Sequence, residues 1–385
     1  MGYVNMPVFC HGRTSVYDGY IFPDEEFESR ADKVRGLLGG YGLDGLLIYS
    51  DGLSRSHVCY LTNYYSTLSW GNSLLIFPKN GRAVIVTSLG LRDYAHTKKM
   101  VPESVELICS GLSMISNHHI VFDALKYIEE NIPGAKWGGV NLDGLCAPGY
   151  DPLFEKYPDI RDLTEEYNAV KSIKTDREMY AMSQAASISE KAVSEFMRLA
   201  EADVVEIELA AEIERVCRKY GVDSVSLLVS AGKEDIRLHQ PRSRKFRNGD
   251  ILAVVVNAQF LHYNGVFAAA KAIGGASADQ AELFSAAKKI WDETIDGLKK
   301  TRRTFIGQRD AFCDRRQICS YTLINGIGVD MVEAPDTPGA EIDLKPGMTL
   351  NVNLSFEKKG SGGALIGRTF YVTENDLVKI NGCGL

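Results

Sequence analysis

Short apolar runs alternate with amphipathic segments along the first half of the chain. The predicted strands are the apolar runs at residues 45–49, 73–77, 83–86 and 138–141. Residues 78–81, Pro-Lys-Asn-Gly, separate the second run from the third and predict a hairpin. Helical patterns cover about residues 23–38, closed by Gly39 and Gly40, and about residues 121–131. Strands and helices in alternation predict a mixed α/β domain with short connections.

A polar seam near residues 160–172 separates this region from a second one. Three helices are predicted beyond it, over about residues 175–200, 205–220 and 278–298. Thr175 and Asp176 are the two candidate N-caps of the first helix, and Gly221 closes the second. The predicted strands lie at residues 225–230, 251–256, 348–354 and 369–373. The second region is therefore also predicted to combine helices with strands.

Composition and charge narrow the function classes. Of the 385 residues, 45% are hydrophobic and 24% charged, which is typical of a globular protein with a large core. At about 100–200 residues per domain, this length predicts two domains. The formal charge is −7, and because nucleic acids are bound by basic surfaces, we expect no nucleic-acid partner. No run approaches the ~18 uninterrupted apolar residues of a membrane span, so we expect no membrane partner.

The cysteines and the N-terminal segment indicate the cellular compartment in which the protein is expected. The eight cysteines are widely and irregularly spaced, with no CxxC pair. Such spacing is typical of reduced, mostly buried thiols, not of a disulfide framework or a zinc site. The N-terminal segment has no basic stretch followed by an apolar stretch, which is the pattern of a signal peptide. These features predict a cytoplasmic protein.

Three segments share their order and spacing with a known family. They lie at residues 230–251, with Ser-Ala-Gly, His-Gln-Pro and Asn-Gly-Asp-Ile; 325–335, with Asn-Gly-Ile-Gly and Glu-Ala-Pro; and 344–374, with Leu-Lys-Pro-Gly-Met and Thr-Phe-Tyr-Val-Thr-Glu. They resemble the pita-bread fold of methionine aminopeptidases, proline peptidases and creatinases, the M24 superfamily. Residues 26–160 look like the N-terminal domain of creatinases and prolidases. The resemblance implies a creatinase-like α/β domain at residues 1–165, followed by a pita-bread domain at residues 166–385.

The peptidases of this family hold two metal ions with two Asp, one His and two Glu side chains. Such ligands suit cations that activate a water molecule. Carried over motif by motif, the five ligand positions fall on Val255, Val266, Asn325, Asn353 and Gly367. A shift of one or two positions for the first pair recovers only Asn257 and Asn264, whose neutral amides are poor metal anchors. We therefore expect no dinuclear metal site and no cofactor.

One residue of the family's chemistry remains. His239, in Leu-His-Gln-Pro, matches the histidine that acts as acid and base in creatinase and that binds substrate in the peptidases. Creatinase also works without metals, through this histidine. A neutral imidazole near pH 7 can take a proton from water and return it to a leaving nitrogen. We predict His239 as the catalytic residue; the alternative is a histidine that packs beside a strand.

The match to creatinase itself is poor, because Asn353 and Ala268 stand where carboxylates grip its guanidinium substrate. The predicted pocket is instead neutral and lined by amides. The candidate substrate-binding residues are Asn325, Asn353, Arg368, His262, Glu333, Trp70 and Asn72. Arg368 and His262 are alternatively exposed residues, and Glu333 is alternatively a member of a structural ion pair. The resemblance also implies a creatinase-like homodimer. Trp70, alternatively a core residue, and Asn72 lie on a loop that would reach the partner's pocket in it.

The resemblance implies three functions. The first is a metal-independent, creatinase-like enzyme that hydrolyses a C–N bond of a small nonpeptide substrate through His239. The second is a recruited biosynthetic enzyme that uses the same histidine for an elimination, a cyclisation or a rearrangement. The third is a catalytically inactive protein that binds a partner in the vacated pocket. The retained histidine favours an enzyme, whereas the five lost ligands favour the inactive protein, and fold alone does not separate them.

Overall fold

The computed structural model describes residues 22–65, 71–88, 94–110, 118–233, 236–313 and 318–380. The chain divides into two compact units, of which the first ends at Lys171 and the second begins at Ser172. Each unit has its own sheet and its own apolar core. No helix within the described ranges is long and apolar enough to cross a membrane.

The first unit is built on a six-stranded sheet. Its helices are α1 Asp24–Tyr41, α2 Ser56–Thr62, α3 Tyr94–Lys98, α4 His118–Asn131, α5 Ala147–Lys156 and α6 Thr164–Ser172, which ends at the division. Its strands are β1 Gly45–Ser50, β2 Ser73–Pro78, β3 Ala83–Thr87, β4 Val105–Cys109, β5 Trp137–Val140 and β6 Arg161–Asp162. The strand order is β4-β3-β2-β1-β5-β6, and the predicted hairpin is the antiparallel pair of β2 and β3.

Strand β1 is buried on both faces, which explains its uninterrupted apolar sequence. Successive side chains of a strand point to opposite faces. Leu46 and Ile48 pack in one core with residues of α1 and α2. Leu47 and Tyr49 pack in a second core with residues of α4 and α5. The first unit is therefore a sheet covered by helices on both faces.

The second unit is built on an eight-stranded antiparallel sheet. Its helices are α7 Asp176–Leu199, α8 Glu206–Lys219 and α9 Ala278–Thr301. Its strands are β7 Ser224–Gly232, β8 Ile251–Phe260, β9 Tyr263–Ala272, β10 Arg303–Phe305, β11 Gly307–Cys313, β12 Ile318–Gly326, β13 Glu341–Asp343, β14 Thr349–Lys358, β15 Gly362–Val372 and β16 Leu377–Lys379. The strand order is β11-β12-β14-β15-β9-β8-β7, β16 pairs with β15, and β10 pairs with β13 in a separate ladder.

Helices cover one face of this sheet. Leu227 and Val229 of β7 pack with residues of α7 and α8, and Val352 of β14 packs with residues of α9. The alternate residues, such as Leu228 of β7 and Val255 of β8, line a cavity on the opposite face. The predicted mixed α/β fold is confirmed, and the uncovered face of this sheet holds the candidate site.

Candidate functional site

A cavity of about 450 Å³ lies on the face of the second sheet that the helices leave uncovered. Strands β7, β8, β9, β12, β14 and β15 each contribute to its walls. The lining combines aliphatic side chains with neutral amides and hydroxyls. Among the residues that the structure describes, no Asp, Glu, His, Lys or Arg lines this cavity. The cavity therefore offers hydrogen bonds but no formal charge.

The positions that the resemblance assigns to metal ligands meet at this cavity. Val255, Val266, Asn325 and Asn353 line it, although they come from four different strands. Gly367 lies directly beside them, because a Cβ atom at that position would be 2.0 Å from Asn353 Oδ1. An amide side chain thus occupies the space in which a side chain at position 367 would lie.

These side chains do not fit a pair of metal ions. Val255 and Val266 present only hydrocarbon, Gly367 has no side chain, and Asn325 and Asn353 present neutral amides. Hard and borderline cations are held instead by carboxylates and imidazoles. Within the described ranges, no group of three or more His, Cys, Asp or Glu residues is arranged to hold a metal ion. We therefore derive no chemistry through a metal pair at this cavity.

Hydrogen bonds fix the orientation of two amides at one wall. Asn264 Nδ2 donates to the carbonyl oxygens of Gly328 and Val329 at 3.0 and 2.7 Å. Because carbonyl oxygens only accept, Asn264 Oδ1 must face the other way, where it accepts from Asn257 Nδ2 at 2.9 Å. Asn257 Oδ1 is then left buried without a hydrogen-bond partner in the described structure.

Asn325 is fixed in the same manner. Its Nδ2 donates to the carbonyl oxygens of Gly326 and Met331 at 2.6 and 3.1 Å. The side chain is buried and lines the cavity. Since both of its N–H bonds are used, Oδ1 is the polar atom that Asn325 has left for a ligand. Asn325 therefore supplies a hydrogen-bond acceptor of fixed orientation.

Two further amides of the lining are less constrained. Asn351 and Asn353 are two residues apart on β14, so their side chains lie on the same face. Each has its Oδ1 buried without a hydrogen-bond partner among the described residues. Buried polar atoms without partners are rare in native structures. Together with Asn257, they place three such atoms at one cavity, where a polar ligand could pair with them.

The predicted catalytic residue lies outside this cavity. The backbone of His239 forms a β-bridge with Val229, with N–O distances of 2.8 and 2.9 Å. Residues directly opposite each other in an antiparallel pair share a face, and Val229 packs under α7. The imidazole therefore lies on the face that the helices cover, with Nδ1 2.8 Å from the Gln240 carbonyl oxygen. The neighbouring Leu238, not His239, lines the cavity.

Glu333 forms a buried ion pair. Its Oε2 is 2.9 Å from Lys174 Nζ, and the two side chains are 4% and 2% exposed. Glu333 Oε1 accepts from the backbone N–H of Asp330 at 2.9 Å. A Cβ atom at Gly328 would lie 2.5 Å from the same carboxylate. Of the two roles considered for Glu333, the structure shows the ion pair, and the side chain does not line the cavity.

Arg368 also lies on the helix-covered face. Its guanidinium carbon is 3.4 Å from the centroid of the Phe267 ring, and Phe267 packs against α7. Nη1 donates to the carbonyl oxygens of Gly367 and Ala268. Burial lowers the pKa of Arg368 to about 10, so the group stays charged at neutral pH. It lines a separate cavity of about 290 Å³ beside α9.

His262 occupies the tight turn between β8 and β9. Leu261 and His262 have φ angles of 48° and 75°, which lie in the left-handed region. Residues other than glycine rarely adopt this conformation. The backbone N–H of His262 donates to Asp223 Oδ2 at 2.7 Å, and its carbonyl accepts from Gln259 Nε2 at 3.0 Å. His262 is buried, so it is not the exposed residue that was considered, but it does not line the cavity.

Asn72 is a buried residue of the first unit. Its Oδ1 accepts from Ser88 Oγ at 2.6 Å, and its carbonyl oxygen accepts from Thr87 Oγ1 at 3.0 Å. These bonds hold the start of β2 against the end of β3. Trp70 lies outside the described residues. A role for Asn72 or Trp70 in the pocket of a partner chain stays a prediction.

Sequence reasoning missed Asn351. This residue lines the cavity beside Asn353, which the family motifs identify. The signal was present in the sequence, because Asn351 and Asn353 are separated by one residue in a predicted strand and must share a face. By the same rule, Arg368 points to the face of the sheet opposite to that of its neighbour Gly367. Arg368 therefore does not line the cavity.

The sequence is similar to those of known peptidases. The sequence model of metallopeptidase family M24 matches residues 180–374. An uncharacterized peptidase of Bacillus subtilis, YqhT, is 22% identical over 360 residues, which cover 90% of this chain and 96% of that protein. An Xaa-Pro dipeptidase of Pyrococcus horikoshii is 23% identical over 273 residues, covering 64% of this chain and 78% of that protein.

Solved structures resemble both units. An X-Pro aminopeptidase from Thermotoga maritima aligns with a TM-score of 0.71 at 15% identity, covering 92% of this chain and 98% of that one. A prolidase from Pyrococcus horikoshii aligns with a TM-score of 0.68 at 16% identity, covering 92% and 99%. At these identities the likeness concerns the fold alone. It confirms the prediction of an N-terminal α/β domain followed by a pita-bread domain.

Proposed function

The chain belongs to metallopeptidase family M24, and on this premise we propose that its second unit binds a small uncharged molecule without the family's metal pair. The molecule occupies the cavity of about 450 Å³ at the vacated ligand positions. One observation carries the proposal: the described lining consists of hydrocarbon, thioether, amide and hydroxyl groups, with no Asp, Glu, His, Lys or Arg.

Electrostatics supports an uncharged ligand. A charged group that enters a cavity loses its hydration, which costs several kcal/mol unless an opposite charge compensates it. The described lining has no such charge. A free dipeptide carries an ammonium and a carboxylate at its ends, so both would enter unpaired. We therefore place the ligand outside the Xaa-Pro dipeptides that the names of several relatives describe.

Hydrolysis of a C–N bond is a second candidate function, since relatives of this chain are named as dipeptidases and aminopeptidases. In this reaction water adds to the carbonyl carbon, the C–N bond breaks, and the nitrogen leaves with a proton. His239 is our candidate for the proton transfers. A carbonyl oxygen only accepts, so the contact with Gln240 keeps the proton on Nδ1 and leaves the lone pair on Nε2. The segment around Leu238 must turn for Nε2 to reach the cavity.

Calorimetric titration with four probes of equal chain length tests the proposed binding. Hexanamide and N,N-dimethylhexanamide are uncharged, whereas hexanoate and hexylammonium each carry one charge. We expect both uncharged probes to bind about ten-fold or more tightly than either ion, because an unpaired charge costs more than 1.4 kcal/mol to desolvate. Tighter binding of hexanoate or hexylammonium would contradict the proposal.

A cavity-filling variant locates the binding. Val255→Phe places a larger side chain in the cavity and is expected to abolish binding of both uncharged probes. Val378→Phe makes the same substitution at an exposed valine of β16 and is the matched control. Thermal melts show whether each variant is folded. Binding that survives Val255→Phe would place the probes elsewhere on the protein.

A further inference from the structure

We infer that the ligand of this cavity presents a carboxamide-type polar end, with an N–H donor beside a carbonyl acceptor, and carries an apolar remainder that reaches the cavity mouth. This inference rests on the proposed function, because it names the chemical class of the uncharged molecule. Three features of the lining carry it: a fixed acceptor, two adaptable amides, and an apolar rim.

The fixed acceptor is Asn325 Oδ1. Both N–H bonds of Asn325 go to the carbonyl oxygens of Gly326 and Met331, so a flipped amide would bring Oδ1 against two other acceptors. A ligand atom that meets Oδ1 must therefore be a donor. A ligand that covers Oδ1 without offering an N–H or O–H group would leave this oxygen unpaired, which costs about 1–3 kcal/mol.

The adaptable amides are Asn351 and Asn353. Asn351 pairs directly with Asn325 across β12 and β14, so the two Cβ atoms lie roughly 4.5–5.5 Å apart. A half-turn about its Cβ–Cγ bond exchanges the nitrogen and oxygen of an asparagine amide. Each of these amides can thus turn a donor towards a ligand carbonyl placed next to Asn325. A carboxamide or lactam carries its N–H and its carbonyl oxygen on one carbon, so it can meet an acceptor and a donor on two neighbouring side chains.

Apolar side chains at the rim of the cavity indicate that the rest of the ligand is apolar. Four large apolar side chains of the lining are unusually exposed: Leu238 at 39%, Leu323 at 42%, Met331 at 51% and Val332 at 55%. They come from three separate segments of the chain and surround the same cavity. Exposed apolar side chains that cluster at a cavity mark a binding surface, whereas single ones do not. An apolar chain attached to the carboxamide would cover them.

The test compares hexanamide with N,N-dimethylhexanamide and with acetamide by calorimetric titration. N,N-Dimethylhexanamide keeps the carbonyl and the chain but has no N–H, and acetamide keeps the polar group but lacks the chain. We expect hexanamide to bind about ten-fold or more tightly than either one. Equal binding of N,N-dimethylhexanamide overturns the inference of a donor and leaves the proposed function intact. Equal binding of acetamide overturns the apolar remainder.

Two variants separate the roles of the amides. Asn325→Leu removes the fixed acceptor, so the affinity for hexanamide is expected to fall to that for N,N-dimethylhexanamide. Asn353→Leu removes a partner of the carbonyl, which both probes have, so both are expected to weaken by the same factor. Asn131→Leu, at an exposed asparagine of the first unit, is the matched control and leaves both affinities unchanged.

These outcomes keep the inference distinct from the proposed function. A preference for hexanamide that survives Asn325→Leu overturns the assignment of the acceptor. If Asn325→Leu does not fold, two other measurements test the inference. They are the ratio of the two probes' affinities for the wild-type protein and the equal loss of affinity for both probes in Asn353→Leu. Failure of all uncharged probes to bind, in protein whose thermal melt shows that it is folded, overturns the proposed function together with this inference.

Discussion

Glu333→Gln is expected to lower the free energy of unfolding of the second unit by about 3–5 kcal/mol. The substitution keeps the shape of the side chain but removes its charge. Lys174 and Glu333 form a 2.9 Å ion pair in which both side chains are almost fully buried. Without the carboxylate, the Lys174 ammonium stays buried next to a neutral amide. Breaking a buried pair costs far more than breaking an exposed one, because the remaining charge is not hydrated.

Guanidinium unfolding followed by circular dichroism measures this loss. Glu293→Gln is the matched control, since Glu293 pairs with Lys289 at 3.8 Å on the exposed surface of α9. That change is expected to cost only about 0–1 kcal/mol. Lys174→Met combined with Glu333→Leu removes both charges and should recover most of the stability. A Glu333→Gln protein as stable as the Glu293→Gln control would show that the buried pair is not structural.

His239→Ala is expected to lower any hydrolysis of hexanamide by about 10²–10⁴-fold, the usual effect of losing a general acid and base. The cavity lining that the structure describes contains no carboxylate and no imidazole that could move the proton in place of His239. The contact of Nδ1 with Gln240 leaves Nε2 as the basic nitrogen. The substitution should not change the fold, because His239 is only partly buried and its backbone makes the bridge to Val229.

Release of ammonia from hexanamide, measured for the wild-type protein and for His239→Ala, tests this prediction. His119→Ala, at an exposed histidine of α4, is the control. Thermal melts of the three proteins exclude unfolding as the cause of a loss. Full activity of His239→Ala would remove the histidine from the mechanism. A wild-type protein that binds hexanamide without releasing ammonia would favour binding over hydrolysis.

The sequence predicts the fold well where the apolar pattern is strong. The run at residues 45–49 predicts β1, and its continuous apolar character follows from burial on both faces. Helix α7 begins at Asp176 because Thr175, one of the two predicted N-caps, forms a capping box with Glu178. Strands β11 and β12 were not predicted, because Gly, Gln, Arg, Asp and Asn interrupt the apolar positions of residues 307–326. Helix α5 was also missed, since Pro152 lies inside it.

The site is less predictable, because it depends on which face each side chain occupies. Family motifs identify Asn325 and Asn353, and both line the cavity. They also point to Arg368 and His239, whose neighbours Gly367 and Leu238 lie at or in the cavity instead. A motif gives a position along the chain, whereas strand pairing decides the face. The pairing of His239 with Val229 is a tertiary contact that no local pattern reveals.

We propose that the vacated metal positions hold an uncharged ligand and no metal pair. A crystal structure of the protein grown with both hexanamide and Mn²⁺ tests it most directly, because the two compete for one cavity. We predict hexanamide between Asn325 and Asn353, with its N–H groups on Asn325 Oδ1, and no anomalous manganese signal in the cavity. Two manganese ions beside Val255, Val266 and Asn353 would contradict the account.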